Sequence, residues 1–125
     1  MIRLRKIGYW ASPDEPELPD PHDYIDVDMP KDVRYTLWGY LLTGTRAPWA
    51  CMGPSMCRIC GSVNCSGEFT DGVFLWPEGL AHYVFEHHVR LPDEVLLHAR
   101  VVTRRNEEAD LDIAWWTREM RLPSD

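Results

Sequence analysis

Three cysteines crowd the stretch MCRICGSVNC, Met56–Cys65, in a chain of 125 residues that has four in all. Cys57-Arg-Ile-Cys60-Gly61 sets two thiols at a spacing from which both reach one ion, and a glycine after the second permits the tight backbone this needs. Downstream, EGLAHYVFEHH supplies His82 and His87, with His88 next door. Two histidines paired with a Cys-x-x-Cys form a common zinc ligand set. The expected ligands are therefore Cys57, Cys60, His82 and His87, and the expected cofactor is one zinc ion. A gap of 21 residues separates Cys60 from His82. It exceeds the finger spacing of about 12–15 and has room for a β-hairpin.

This spacing makes a geometric demand. Five residues on a regular helix turn through about 500°, which leaves the two histidines about 140° apart. The helix must loosen at its last turn for both to reach one ion. Cys51, Cys65 and His88 compete as the fourth ligand. Cys57-x2-Cys60-x4-Cys65 opens like a retroviral-type zinc knuckle but lacks the His and final Cys that complete it. A redox pair would precede a helix whose N-terminus lowers a thiol pKa; a glycine loop and a hairpin follow here instead. Four protein ligands close the site, and a closed site is structural. Such an ion contributes about 10 kcal/mol or more to folding in small zinc modules. A catalytic ion needs an open position and a nearby base. Glu86 and Asp71 are the candidates, although HYVFEH lacks the His-Glu-x-x-His arrangement that places a base beside the ion. Neither a Gly-x-Ser-x-Gly elbow nor a glycine-rich phosphate loop occurs.

The elements around the cysteines can be read from pattern. IRLRKIGYW alternates apolar and basic residues, the mark of a short strand. SPDEPELPDPHD carries four prolines, Pro13, Pro16, Pro19 and Pro21. Each removes a donor and restricts its neighbour, so residues 12–30 should be irregular, with Tyr9, Trp10 and Tyr24 available to pin them to the core. KDVRYTLWGYLL (31–42) has apolar residues at helical spacing, with Pro30 at the entry and Gly44 as the expected C-terminal cap. In GEFTDGVFLW (67–76), Asp71-Gly72 favours a two-residue hairpin turn. Pro77 should end the second strand, and Glu78 suits the N-terminus of a helix over 78–88. Further helices are expected over 91–105 and in DLDIAWWTREM. Trp76 should pack under the hairpin. Trp115 and Trp116 are expected on the core, whereas an exposed ring would offer an anchor for a partner.

One domain is the prior for this length. Within it, 51–92 is the candidate zinc module and 93–125 a helical part. No apolar run reaches the roughly 18 residues of a membrane helix. MIRLRKIGYW lacks the apolar stretch of a signal peptide, so a cytoplasmic location with reduced thiols is expected. The net charge of −7 argues against sequence-independent nucleic-acid binding. Residues 12–32 are acidic, while Arg90, Arg100, Arg104, Arg105, Arg118 and Arg121 come late. Pairing or solvation of these charges is the simplest expectation.

GYW, EPELPDPHDYID, MCRICG and above all TDGVFLWPEGLAHYVFEHHVRLP resemble a family of small, uncharacterised bacterial proteins. Sequences of that family carry a Cys-x-x-Cys-Gly segment, then Asn-Gly, then a TDG…WPEGLxHYV…H…RLP block. The resemblance spans most of residues 7–95 and is specific from Thr70 to Pro92. It implies that Cys57, Cys60, His82 and His87 fall on the motif positions. Asn64-Cys65 stands where the family has Asn-Gly, and His88 where it has Gly after the second His, which makes Cys65 and His88 weaker ligands. The resemblance implies no activity.

The expected fold is an α+β domain with a zinc-stapled centre: knuckle, hairpin and ligand-bearing helix, in a treble-clef or finger-like order, surrounded by further helices. The leading functional expectation is a small zinc protein that engages another protein, as an immunity or regulatory module would, and is not an enzyme. The alternatives are a nucleic-acid-associated zinc module and a metal-dependent hydrolase using Glu86 or Asp71. The oligomeric state is left open by the sequence.

Overall fold

The computed structural model describes residues 1–49, 53, 55–64 and 67–123. These form an α+β fold of four helices and a four-stranded sheet. The strands are β1 (Arg5–Lys6), β2 (Thr45–Arg46), β3 (Glu68–Thr70) and β4 (Phe74–Pro77), in the order β1-β4-β3-β2. β1 runs parallel to β4, and the other pairs are antiparallel. The helices are α1 (Lys31–Leu41), α2 (Leu80–His87), α3 (Asp93–Glu107) and α4 (Ile113–Glu119).

The core lies where α1, α2 and α3 meet β4. Leu37, Leu41, Leu80, Val84 and Val95 are buried there around Trp76, which is 0 % exposed. Trp76 stacks at a tilt on Tyr40, and its indole N–H donates to the Leu41 carbonyl at 3.1 Å. An otherwise orphaned helix-end carbonyl is thereby satisfied inside the core. Gly44 does not cap α1, which ends on Leu42 in a right-handed conformation. Its missing side chain instead makes room, because a Cβ there would lie 2.7 Å from Trp76 and 2.8 Å from Phe69.

The hairpin turn is longer than Asp71-Gly72 alone, since Thr70 pairs with Leu75. Asp71 organises it: Oδ1 accepts from the Val73 and Phe74 amides at 3.0 Å each, and Gly72 adopts φ +89°. Pro77 closes β4, as its lack of a donor requires, but the helix starts later than 78, at Leu80. Glu78 is not a helix residue. Its carboxylate accepts from the Gly67 amide at 3.2 Å and pairs with Arg46 at 3.1 Å.

The Pro-rich segment is irregular except for a 3-10 turn at Pro21–Tyr24, capped by the Asp20 side chain on the His22 amide. It is tied to the rest of the chain: Ala11 N–H donates to Pro19, Asp26 N–H to His88, and Arg90 N–H to Tyr24. Trp10 is buried against Tyr83 at 5.5 Å between ring centroids, and Tyr9 donates to Glu68. The expectation for the C-terminal tryptophans is corrected. α4 buries none of its residues, and Trp115 and Trp116 are 52 % and 53 % exposed. No described helix is long and apolar enough to cross a membrane.

Candidate metal centre

The knuckle forms because Gly61 takes φ +76°, a conformation a side chain would strain. This lets the Gly61 amide return to the Cys57 carbonyl at 2.8 Å, while the Cys57 amide donates to Ser62 at 2.8 Å. Met56 and Val63 bridge antiparallel on either side. Cys57 is buried and Cys60 faces solvent.

α2 carries both histidines and runs regularly through His87, loosening only at the residue that follows. The His88 amide closes on the Tyr83 carbonyl, five residues back, and the Val89 amide reaches the same oxygen at 3.1 Å. This closure is wider than an α-turn, and it brings His88 to φ +55°. The His82 and His87 rings end 5.0 Å apart.

The structure brings together all four residues expected as ligands. One donor atom from each of Cys57, Cys60, His82 and His87 lies within 4.8 Å of the others, a grouping that could hold a metal ion. Cys60 Sγ is 3.4 Å from His82 Nε2. Tetrahedral zinc bonds of about 2.3 Å to sulfur and about 2.05 Å to nitrogen put such a pair about 3.6 Å apart. His87 Nε2 is buried and makes no hydrogen bond among the described residues. Hydrogen bonds from Ser62, with smaller contributions from His87 and His82, push the Cys60 thiol down to about 5. This favours the thiolate, the form that ligates metals.

Polar contacts outside the donor set hold the two halves of the site together. Tyr83, beside His82 in sequence, accepts the Arg58 amide from inside the knuckle at 2.9 Å. Asn64 Nδ2 donates to the Gly79 carbonyl at 3.1 Å, just before α2. The fit is close: a Cβ on Gly79 would sit 2.5 Å from the Asn64 amide group. Arg58 Nε donates to Ala11, which adds the N-terminal segment. Sequence reasoning missed Tyr83 and Ser62. Asn64 had a signal, as the Asn of the Asn-Gly pair in the resembling sequences.

The other candidates fall elsewhere. His88 is at the end of α2 and outside the donor set, and Glu86 is exposed on α2, also outside it. Cys51 and Cys65 lie outside the described residues. Asp71 is engaged at the hairpin turn, where Oδ2 accepts from Tyr40 Oη at 2.5 Å and pairs with His98 Nε2 at 2.7 Å. No family model, curated protein or solved structure matches the chain.

Proposed function

We propose that Cys57, Cys60, His82 and His87 hold one structural zinc ion in a treble-clef-like module, and that the protein acts by binding another protein, not by catalysis. The convergence of two thiols and two imidazoles within 4.8 Å carries this reading. Two sulfurs and two nitrogens suit zinc better than the oxygen-seeking cations. Four protein donors fill a tetrahedral ion and leave no position for an activated water. Of the two carboxylates that would serve a hydrolase, Asp71 has both oxygens committed to the turn, Tyr40 and His98. The order knuckle, hairpin, helix supports the treble-clef description, and the glycine of the resembling sequences corresponds to His88, the one non-glycine with positive φ among the described residues.

Elemental analysis of protein purified without added metal tests the site. About one zinc per chain is expected, lost together with the fold in Cys57→Ser and His87→Ala. Absence of metal in the wild type, or its full retention with an intact fold in both variants, would remove the proposal. Zinc retained in His87→Ala alone would open a coordination position and favour the catalytic alternative.

A further inference from the structure

A cavity of about 440 Å³ lies between the N-terminal segment, the Pro-rich segment and the entry to α3. Backbone bonds tie these three stretches together: Ala11 N–H donates to Pro19 at 2.9 Å, and Arg90 N–H to Tyr24 at 2.8 Å. The volume falls within the roughly 300–1,000 Å³ of small-molecule sites, which combine apolar walls with a few convergent polar groups.

The cavity has both. Ile7, Trp10 and Leu91 supply apolar wall, and Trp10 and Leu91 are buried. Tyr24, Arg90 and Asp93 line it as well and are exposed, so the polar side chains stand where the cavity meets solvent. Arg90 and Asp93 carry opposite charges three residues apart, yet neither is in an ion pair among the described residues. The next acid of α3, Glu94, is by contrast paired with Arg5. Trp10 adds a donor, because its indole N–H is buried and makes no hydrogen bond among the described residues. Buried donors are nearly always paired, so this one calls for an explanation, and an acceptor on a ligand is one.

Charge selects the ligand. A cation would use Asp93 and leave Arg90 idle. A plain anion would use Arg90, but Asp93 and the chain's net charge of −7 would oppose it. A zwitterion meets both charges and has no net charge for the protein's field to repel. Its apolar body would lie along Ile7, Trp10 and Leu91, with the charged head at the rim. A peptide terminus presents only one of the two charges, whereas a free α-amino acid carries both on one carbon. We propose that the cavity binds a free α-amino acid with an aliphatic or aromatic side chain, its carboxylate on Arg90 and its ammonium on Asp93.

The inference does not depend on the zinc reading, because none of these residues belongs to the metal centre. Isothermal titration calorimetry of the full chain with leucine and with phenylalanine tests it. Nuclear magnetic resonance follows the indole N–H signal of Trp10 in parallel, assigned by its absence in Trp10→Phe. The expected result is stoichiometric binding of at least one of the two amino acids and a displaced Trp10 signal. Analogues lacking the ammonium (isocaproate, hydrocinnamate) or the carboxylate (isoamylamine, phenethylamine) should bind at least about tenfold more weakly than the parent amino acid. Arg90→Gln and Asp93→Asn should each weaken amino-acid binding to a similar degree, with unchanged circular dichroism and metal content. Both positions are exposed, so the fold should tolerate them, and the analogues decide alone for a variant that does not fold. Binding of neither amino acid at millimolar concentration would overturn the proposal. So would an analogue that binds as well as its parent, an affinity indifferent to both variants, or binding that leaves the Trp10 signal unmoved.

Discussion

Removing the Asp71 carboxylate should weaken the fold more than any other single change at an exposed turn. Asp71 receives four hydrogen bonds: the Val73 and Phe74 amides at 3.0 Å, Tyr40 Oη at 2.5 Å and His98 Nε2 at 2.7 Å. It thereby joins the hairpin turn to α1 and α3. Asp71→Ala leaves the hydroxyl of Tyr40, a residue only 3 % exposed, without its partner. An unsatisfied buried group costs about 1–3 kcal/mol, and each lost turn or charged bond adds about 1 kcal/mol, so a loss of about 3–4 kcal/mol is expected. Asp71→Asn keeps an acceptor for the two amides, and Tyr40 can rotate to accept from its NH2, so about half of that loss should remain. Urea unfolding followed by tryptophan emission, at matched metal content, measures both. The pH dependence provides a second test. Burial opposes the charge on Asp71, but bonds from Tyr40, the Phe74 amide, His98 and the Val73 amide outweigh it and hold the carboxyl below its ordinary value. The unfolded chain therefore takes up this proton more readily than the folded one. The stabilisation is complete above about pH 4, the unfolded value, and is lost as pH falls through the folded value. Asp71→Asn should abolish that part of the acid sensitivity. A loss below about 1 kcal/mol in Asp71→Ala would refute the reasoning, because even one bond to a charged acceptor is worth more.

Three further changes probe the knuckle and α2. Gly79→Ala would place a Cβ 2.5 Å from the Asn64 amide group, so about 1–3 kcal/mol of overpacking loss is expected, together with weaker metal retention against a chelator. Tyr83→Phe removes the acceptor of the Arg58 amide; metal should still bind, with an affinity lowered about 10–100-fold, measured by competition with a chromophoric chelator. His88→Gly relieves a φ of +55° and removes a buried ring nitrogen that has no hydrogen-bond partner among the described residues. It should stabilise by about 1 kcal/mol and retain the metal, which elemental analysis and urea unfolding would verify.

The grouping of the four candidate donors was largely legible in the sequence because thiol and imidazole spacing is a local signal. Cys57 and Cys60 fix their own turn through Gly61, and His82 and His87 sit on a segment whose apolar residues mark it as a helix. The Asp-Gly dipeptide announced a turn for a related reason, since only its φ requirement had to be recognised. What the sequence concealed depends on distant partners. Nothing local to Asp71 shows that Tyr40 and His98 will converge on it from 31 and 27 residues away. Gly44 was misread because helix-end glycines usually cap, whereas here the demand comes from Trp76. Trp115 and Trp116 look like core residues in any composition-based reading, and only the path of α4 leaves them outside.

The hairpin explains how these separate features make one structure. At its turn end, Asp71 ties it to α1 and α3. At its open end, Glu78 holds the Gly67 amide, and Asn64 holds Gly79 at the start of α2. Trp76 fills the core between the two ends. Carboxylates hold both ends of the hairpin, Asp71 at the turn and Glu78 at the open end, whereas the bonds that join knuckle to helix, from the Arg58 amide to Tyr83 and from Asn64 to Gly79, link neutral groups. Neutral bonds contribute about half as much as charge-assisted ones. A metal ion bound by Cys57, Cys60, His82 and His87 would join the knuckle directly to α2 and reinforce the junction that neutral hydrogen bonds hold.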